Sequence, residues 1–97
     1  MSLRTEKKSA DTIALIGRLD TVTAPELEAE LSGILPTADT IRIDMEKLEY
    51  ISSAGLRVIL KTQKALEKKG GLKLTNVPES VKEVFDITGF SDFLTIE

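Results

Sequence analysis

The 97-residue chain carries 13 basic and 16 acidic side chains, a formal charge of −3, and neither cysteine nor histidine. That length fits one domain, residues 1–97. The two absences exclude a disulfide framework, a thiolate zinc site, a thiol nucleophile and a Ser-His-Asp arrangement, and the charge balance gives no reason to expect nucleic acid.

None of the acidic residues sits in an apolar run that would raise its pKa, so catalysis is not expected. No cofactor or metal is called for. Apolar runs are short, and Met1–Lys8 has no apolar stretch of the secretory kind. A cytoplasmic protein without a membrane partner is the expectation.

In chain order, a polar strand is predicted near Leu3–Lys8, suited to a sheet edge. Thr12–Gly17 reads as a second strand. Thr21-Val-Thr-Ala-Pro-Glu-Leu27 signals a helix start. Thr23 as N-cap puts Glu26 at the third position, a capping box, with Val22 and Leu27 as the apolar staple across it. Leu27, Leu31, Ile34 and Leu35 make one apolar stripe, and Pro36 closes the helix Thr23–Leu35.

Thr40-Ile-Arg-Ile-Asp44 is the third strand, with Asp44 as its end. Leu56, Ile59, Leu60 and Leu66 give the apolar face of a helix Ser53–Lys69, which Gly70-Gly71 stops. Leu72–Asn76 alternates as a strand. Pro78 opens a helix to Thr88, with Val81, Val84 and Phe85 inward, Gly89 as the terminating glycine and Phe90 next. Phe93–Ile96 is a last short strand.

The order β-β-α-β-α-β-α-β implies an α/β domain with a mixed, mostly parallel sheet and right-handed crossovers. In such folds sites gather at the C-terminal strand edge. That edge receives the turns Gly17–Thr23 and Glu49–Ser53, and so Asp20, Thr21, Ser52 and Ser53. Serines at a strand-to-helix junction either cap the helix or offer a hydroxyl beside unpaired N–H groups and the positive helix end. Arg57, Lys61, Lys64 and Lys68 align with Ser53 as one basic stripe, either a solvated face or a docking face.

The segment Asp44-Met-Glu-Lys-Leu-Glu-Tyr-Ile-Ser-Ser-Ala-Gly-Leu-Arg-Val58 resembles the signature of the STAS family of anti-sigma factor antagonists. Gly17-Arg-Leu-Asp20 resembles the family's Gly-Glu-Leu-Asp turn, and Val81–Phe90 its closing helix. The resemblance implies a single STAS-like domain that binds an anti-sigma factor with serine kinase activity and so frees a sigma factor. It further implies phosphorylation of Ser53, which switches binding off, and a serine phosphatase that reverses it. Ser52 falls where many members have aspartate, so it competes as the acceptor. Taken with the rim and the basic stripe, the partner-binding set expected is Asp20, Thr21, Ser52, Ser53, Ala54, Gly55, Leu56, Arg57 and Lys61; a monomer is the separate expectation. Two other readings stand beside it. One is a STAS scaffold or accessory subunit without a switch, of the stressosome or lipid-transport type. The other is an enzyme with a serine nucleophile, against which the lack of histidine argues.

Overall fold

In the computed structural model, which describes residues Leu3 to Glu97, β1 (Leu3–Lys7) runs antiparallel to β2 (Thr12–Leu19). Met1 and Ser2, the first residues of the segment read for a secretory signal, lie outside the described residues. After β2 come α1 (Ala24–Ile34), β3 (Thr40–Ile51), α2 (Ser53–Leu66), β4 (Gly71–Thr75), α3 (Glu79–Thr88) and β5 (Thr95–Ile96). The sheet order is β1-β2-β3-β4-β5, and every pairing after the first is parallel. The expected element order and mixed sheet are therefore present, with the polar β1 at an edge.

Strands laid down in sequence order by right-handed crossovers place their connecting helices on one face of the sheet. The packing agrees. Ile13, Leu15 and Leu19 of β2, Ile41 and Ile43 of β3, and Leu72 and Leu74 of β4 form one core with Leu27, Leu31, Ile59, Leu66, Val81 and Phe85 of the helices. Phe85 and Leu27 are completely buried. The alternate positions, among them Arg18, Arg42 and Lys73, face the uncovered side. That alternation is why β4 reads so clearly as a strand.

Two expectations about strands need correction. β3 does not end at Asp44; it continues through Ile51. Its inward residues after Asp44 are Met45, Leu48 and Ile51, spaced by three rather than two. Register shifts against β2 between Ala14 and Ile16 and between Gly17 and Arg18 each add one residue on β3. Each bulge breaks the alternation, so the segment does not look like a strand in sequence. Asp44 instead organises the bulge: its Oδ1 accepts from the Glu46 N–H and from Asn76 Nδ2, each at 3.1 Å. Gly17 sits at the second shift with φ of 107°, a conformation costly for other residues. The last strand is also shorter than Phe93–Ile96, because Phe90–Asp92 forms a 3-10 turn and leaves Phe93 exposed.

The start of α1 differs too. Thr23 has helical backbone angles and makes no side-chain cap, so the capping box does not form. Asp20 supplies the cap from one turn earlier: its Oδ1 accepts from the N–H groups of Val22 and Thr23, each at 3.0 Å. A carboxylate is the stronger acceptor and takes those donors. Thr23 turns inward instead, accepting from the Asp20 N–H and donating to the Arg18 carbonyl, both at 2.8 Å. The staple is also absent, since Val22 is 76% exposed while Leu27 is buried.

The helices Thr23–Leu35, Ser53–Lys69 and Pro78–Thr88 otherwise match within a few residues at each end. Leu60 and Val84 are half-buried, and Val58 takes a buried place that the stripe of α2 did not include.

Candidate partner-binding rim

β2 and β3 are parallel and end in register, with Leu19 opposite Ile51. The ladder gains one more bond beyond that pair, from the Ser52 N–H to the Leu19 carbonyl at 2.8 Å. Asp20 and Ser52 are the next residues on the two strands. The turn Asp20–Thr23 and the start of α2 therefore share one sheet edge, as their positions in sequence imply.

The close approach of the two elements depends on Gly55. A Cβ there would lie 2.6 Å from Leu19 Cγ and 3.1 Å from Ile51 Cγ1. The α2 start is seated directly on the two strand ends whose next residues form the rim.

The two serines have different tasks. Ser52 is the N-cap of α2: its backbone is extended and its Oγ accepts from the Gly55 N–H at 3.3 Å. It is half-buried, whereas Ser53 is exposed at the first position of the 14-residue helix. The Ser53 hydroxyl makes no hydrogen bond among the described residues. Capping and an available hydroxyl, alternatives in the sequence, are thus divided between neighbours. We expect Ser52→Ala to cost about 1 kcal/mol of stability through the lost cap. Ser53→Ala should stay within about 0.5 kcal/mol of wild type, as exposed substitutions do. Urea melts of both variants check the difference.

Thr21 is exposed beside Asp20. Of the family segment, Ala54 is half-buried, and Gly55 and Leu56 are buried, so these last two support the rim from beneath rather than presenting side chains. Arg57 is exposed one turn after Ser53. Lys61 is engaged: it pairs with Glu28 and ties α2 to α1, though its side chain remains 71% exposed. Lys64 and Lys68 continue the exposed basic stripe. Arg18 and Tyr50, which the sequence reading did not include, also end on this edge. They are paired across β2 and β3, and the guanidinium lies 4.2 Å from the Tyr50 ring centroid.

The Thr23 N–H is the largest influence holding the Asp20 carboxyl below its ordinary value of 3.8, with further help from the Thr23 hydroxyl, the Val22 N–H and Arg18. The folded state thus favours the charged form. Its stabilising effect is present above the ordinary carboxyl range and is lost as pH falls through the lowered folded-state value. Asp20→Asn should therefore remove part of the acid sensitivity of the fold. Thermal melts of both proteins between about pH 6 and about pH 2 test this, with the wild type losing more on acidification.

No group of three His, Cys, Asp or Glu side chains converges as a metal site among the described residues. No helix among them is long and apolar enough to cross a membrane. A cleft of about 100 Å³ lies on the open sheet face beside Glu6, Asp44 and Lys47 and includes none of the rim residues.

The model of the STAS domain of the Mlab kind matches residues 2–96. The chain belongs to the STAS family. This STAS domain is 35% identical to the anti-sigma-B factor antagonist of Bacillus subtilis (strain 168), over 87% of its own length and 78% of that protein's. Its fold is similar to that of the anti-sigma factor antagonist SpoIIAA in its unphosphorylated form. The TM-score is 0.77 at 23% identity, covering 98% of this chain and 87% of that one. It is likewise similar to SpoIIAA of Bacillus in its phosphorylated form. There the TM-score is 0.70 at 22% identity, covering 98% and 90%.

Proposed function

We propose that this STAS domain is an anti-sigma factor antagonist whose binding is switched by phosphorylation of Ser53. The observation that carries the reading is the exposed, unengaged Ser53 hydroxyl at the start of α2, beside a Ser52 already committed to the cap. The name of the Bacillus subtilis relative supports the partner class. That SpoIIAA has both an unphosphorylated and a phosphorylated form supports a fold of this kind accepting a phosphate.

The switch follows from charge. Unphosphorylated, the rim offers Ser53 as a small neutral group that an anti-sigma factor with serine kinase activity can cover. Its docking frees the sigma factor. Phosphate brings about −1.5 to −2 charges and three acceptor oxygens. Within this domain that charge is well placed, since the helix N-terminus favours an anion and Arg57 lies one turn on. In a desolvated interface the same charge is costly. Binding is lost while the fold persists. A serine phosphatase restores the binding form. The domain acts by occupancy, with no reaction of its own.

The test uses a purified complex of the cognate sigma factor and anti-sigma factor. Added unphosphorylated domain should displace the sigma factor, read as recovered transcription from its promoter. The phosphorylated domain should not. Failure of the unphosphorylated form to displace it, with stable binding elsewhere, would favour a scaffold without a switch.

A further inference from the structure

Among the described residues, four large apolar side chains stand out into solvent: Val22 (76%), Tyr50 (41%), Ile87 (84%) and Phe93 (65%). They divide between the two sheet edges. Val22 follows the end of β2 and Tyr50 is the last residue but one of β3, so both belong to the rim. Ile87 lies late in α3, which runs back toward the start of β5, and Phe93 just precedes that strand, at the opposite edge.

Val22 is the informative one. Its sequence position suits a staple onto Leu27, which would lower the free energy of folding. The structure forgoes that contact. Asp20 takes the Val22 N–H at 3.0 Å and fixes the turn with the side chain outward. An apolar group held rigidly in water gives the fold nothing, but it loses little entropy on docking. Tyr50 is similarly prepared. Arg18 lies over its ring at 4.2 Å, which limits its rotamers and presents an aromatic and a guanidinium together. Such groups are enriched among residues that dominate binding energy.

We propose that Val22, just before the α1 start, and Tyr50, stacked with Arg18 on the open sheet face near the end of β3, are the two apolar anchors by which the anti-sigma factor holds this rim. The proposal rests on the function given above and deepens it. The partner must offer an apolar pocket to Val22 and an apolar ledge to the Tyr50 ring. A partner seated on both side chains covers the sheet edge where Ser52 and Ser53 follow β3 and excludes water from it. Exclusion of water is the condition under which a phosphate on Ser53 becomes most repulsive. The anchors therefore supply both affinity and the steepness of the switch.

The experiment measures, by calorimetry, binding of the purified cognate anti-sigma factor to wild type and to Val22→Ser, Tyr50→Ala, Ile87→Ser, Phe93→Ser and Ser53→Asp. Val22→Ser and Tyr50→Ala should each weaken binding by about tenfold, or 1.4 kcal/mol, which is within what burial of such side chains supplies. Val22→Ser should melt as wild type does, because its side chain supports nothing. Ile87→Ser and Phe93→Ser should bind as wild type does. Wild-type affinity for Val22→Ser and Tyr50→Ala, with binding lost in Ser53→Asp, would overturn the anchors and leave the switch standing. Weakened binding in both anchor variants, with Ser53→Asp unaffected, would support the anchors and reject the switch. An equal loss in Ile87→Ser or Phe93→Ser would overturn the assignment of the anchors to this rim.

Discussion

Ser53→Asp should weaken binding to the anti-sigma factor by about 100-fold, while Ser53→Ala binds as tightly as wild type. The factor corresponds to about 2.7 kcal/mol, a modest part of the cost of placing an anion in a closed interface. The two variants differ in charge at one exposed position and in little else. Aspartate suits the first turn of a helix, so Ser53→Asp should melt within about 2 °C of wild type. That combination separates a charge effect in the complex from damage to the domain. Calorimetric titration together with thermal melts measures both quantities. Equal affinity for the two variants would remove the switch whatever the fold.

Gly55→Ala is expected to have the largest effect on stability among the single substitutions considered. Two terms compete. Alanine in place of glycine within a helix gains up to about 1 kcal/mol from backbone entropy. Against it, the new methyl would sit 2.6 Å and 2.9 Å from two carbons of Leu19, which is fully buried. Overpacking of a closed core costs about 1–3 kcal/mol. Leu19 lies in the closed core, and Ile51 stands on the other side at 3.1 Å. The clash wins, leaving a net loss of about 1–2 kcal/mol, or roughly 4–15 °C in Tm for a domain of this size. The displacement of α2 also moves Ser53 relative to Asp20. Binding should therefore fall in Gly55→Ala even at temperatures where it stays folded. Denaturant melts and binding on the same preparation report the two losses. Unchanged stability would show that the α2 start is not seated on the strand ends as described.

The parts of the fold with unbroken patterns were legible from the amino acids. β4 alternates Leu72-Lys73-Leu74, α3 carries Val81 and Phe85 four residues apart, and Gly89 ends that helix with φ of 80°. The second half of β3 was not legible. Its two bulges give the inward residues Met45, Leu48 and Ile51 a spacing that belongs to no simple strand. The α1 start misled for a different reason. Thr23 and Glu26 fit a capping box by type and spacing, but an aspartate three residues earlier takes the Thr23 N–H that Glu26 would accept. Sequence spacing does not rank competing acceptors.

The rim divides in the same way. Strand order and parallel direction are enough to bring Asp20, Ser52 and Ser53 to one edge, and both can be read from the alternation of elements. Which serine caps and which is exposed depends on the backbone angles at Ser52, and a pair of adjacent serines does not reveal them. Val22 reads as a staple onto Leu27, and Arg18 and Tyr50 fall within the two rim turns without being singled out as site residues. Their exposure and the Arg18–Tyr50 stacking belong to the tertiary structure.

The central claim is that Ser53, and not Ser52, carries the phosphate. The most direct test is site-resolved mass spectrometry of this domain after incubation with its cognate anti-sigma kinase and ATP. The account predicts phosphate on the exposed Ser53, none on the capping Ser52, and no incorporation into Ser53→Ala. Phosphate confined to Ser52, or full incorporation into Ser53→Ala, would contradict it.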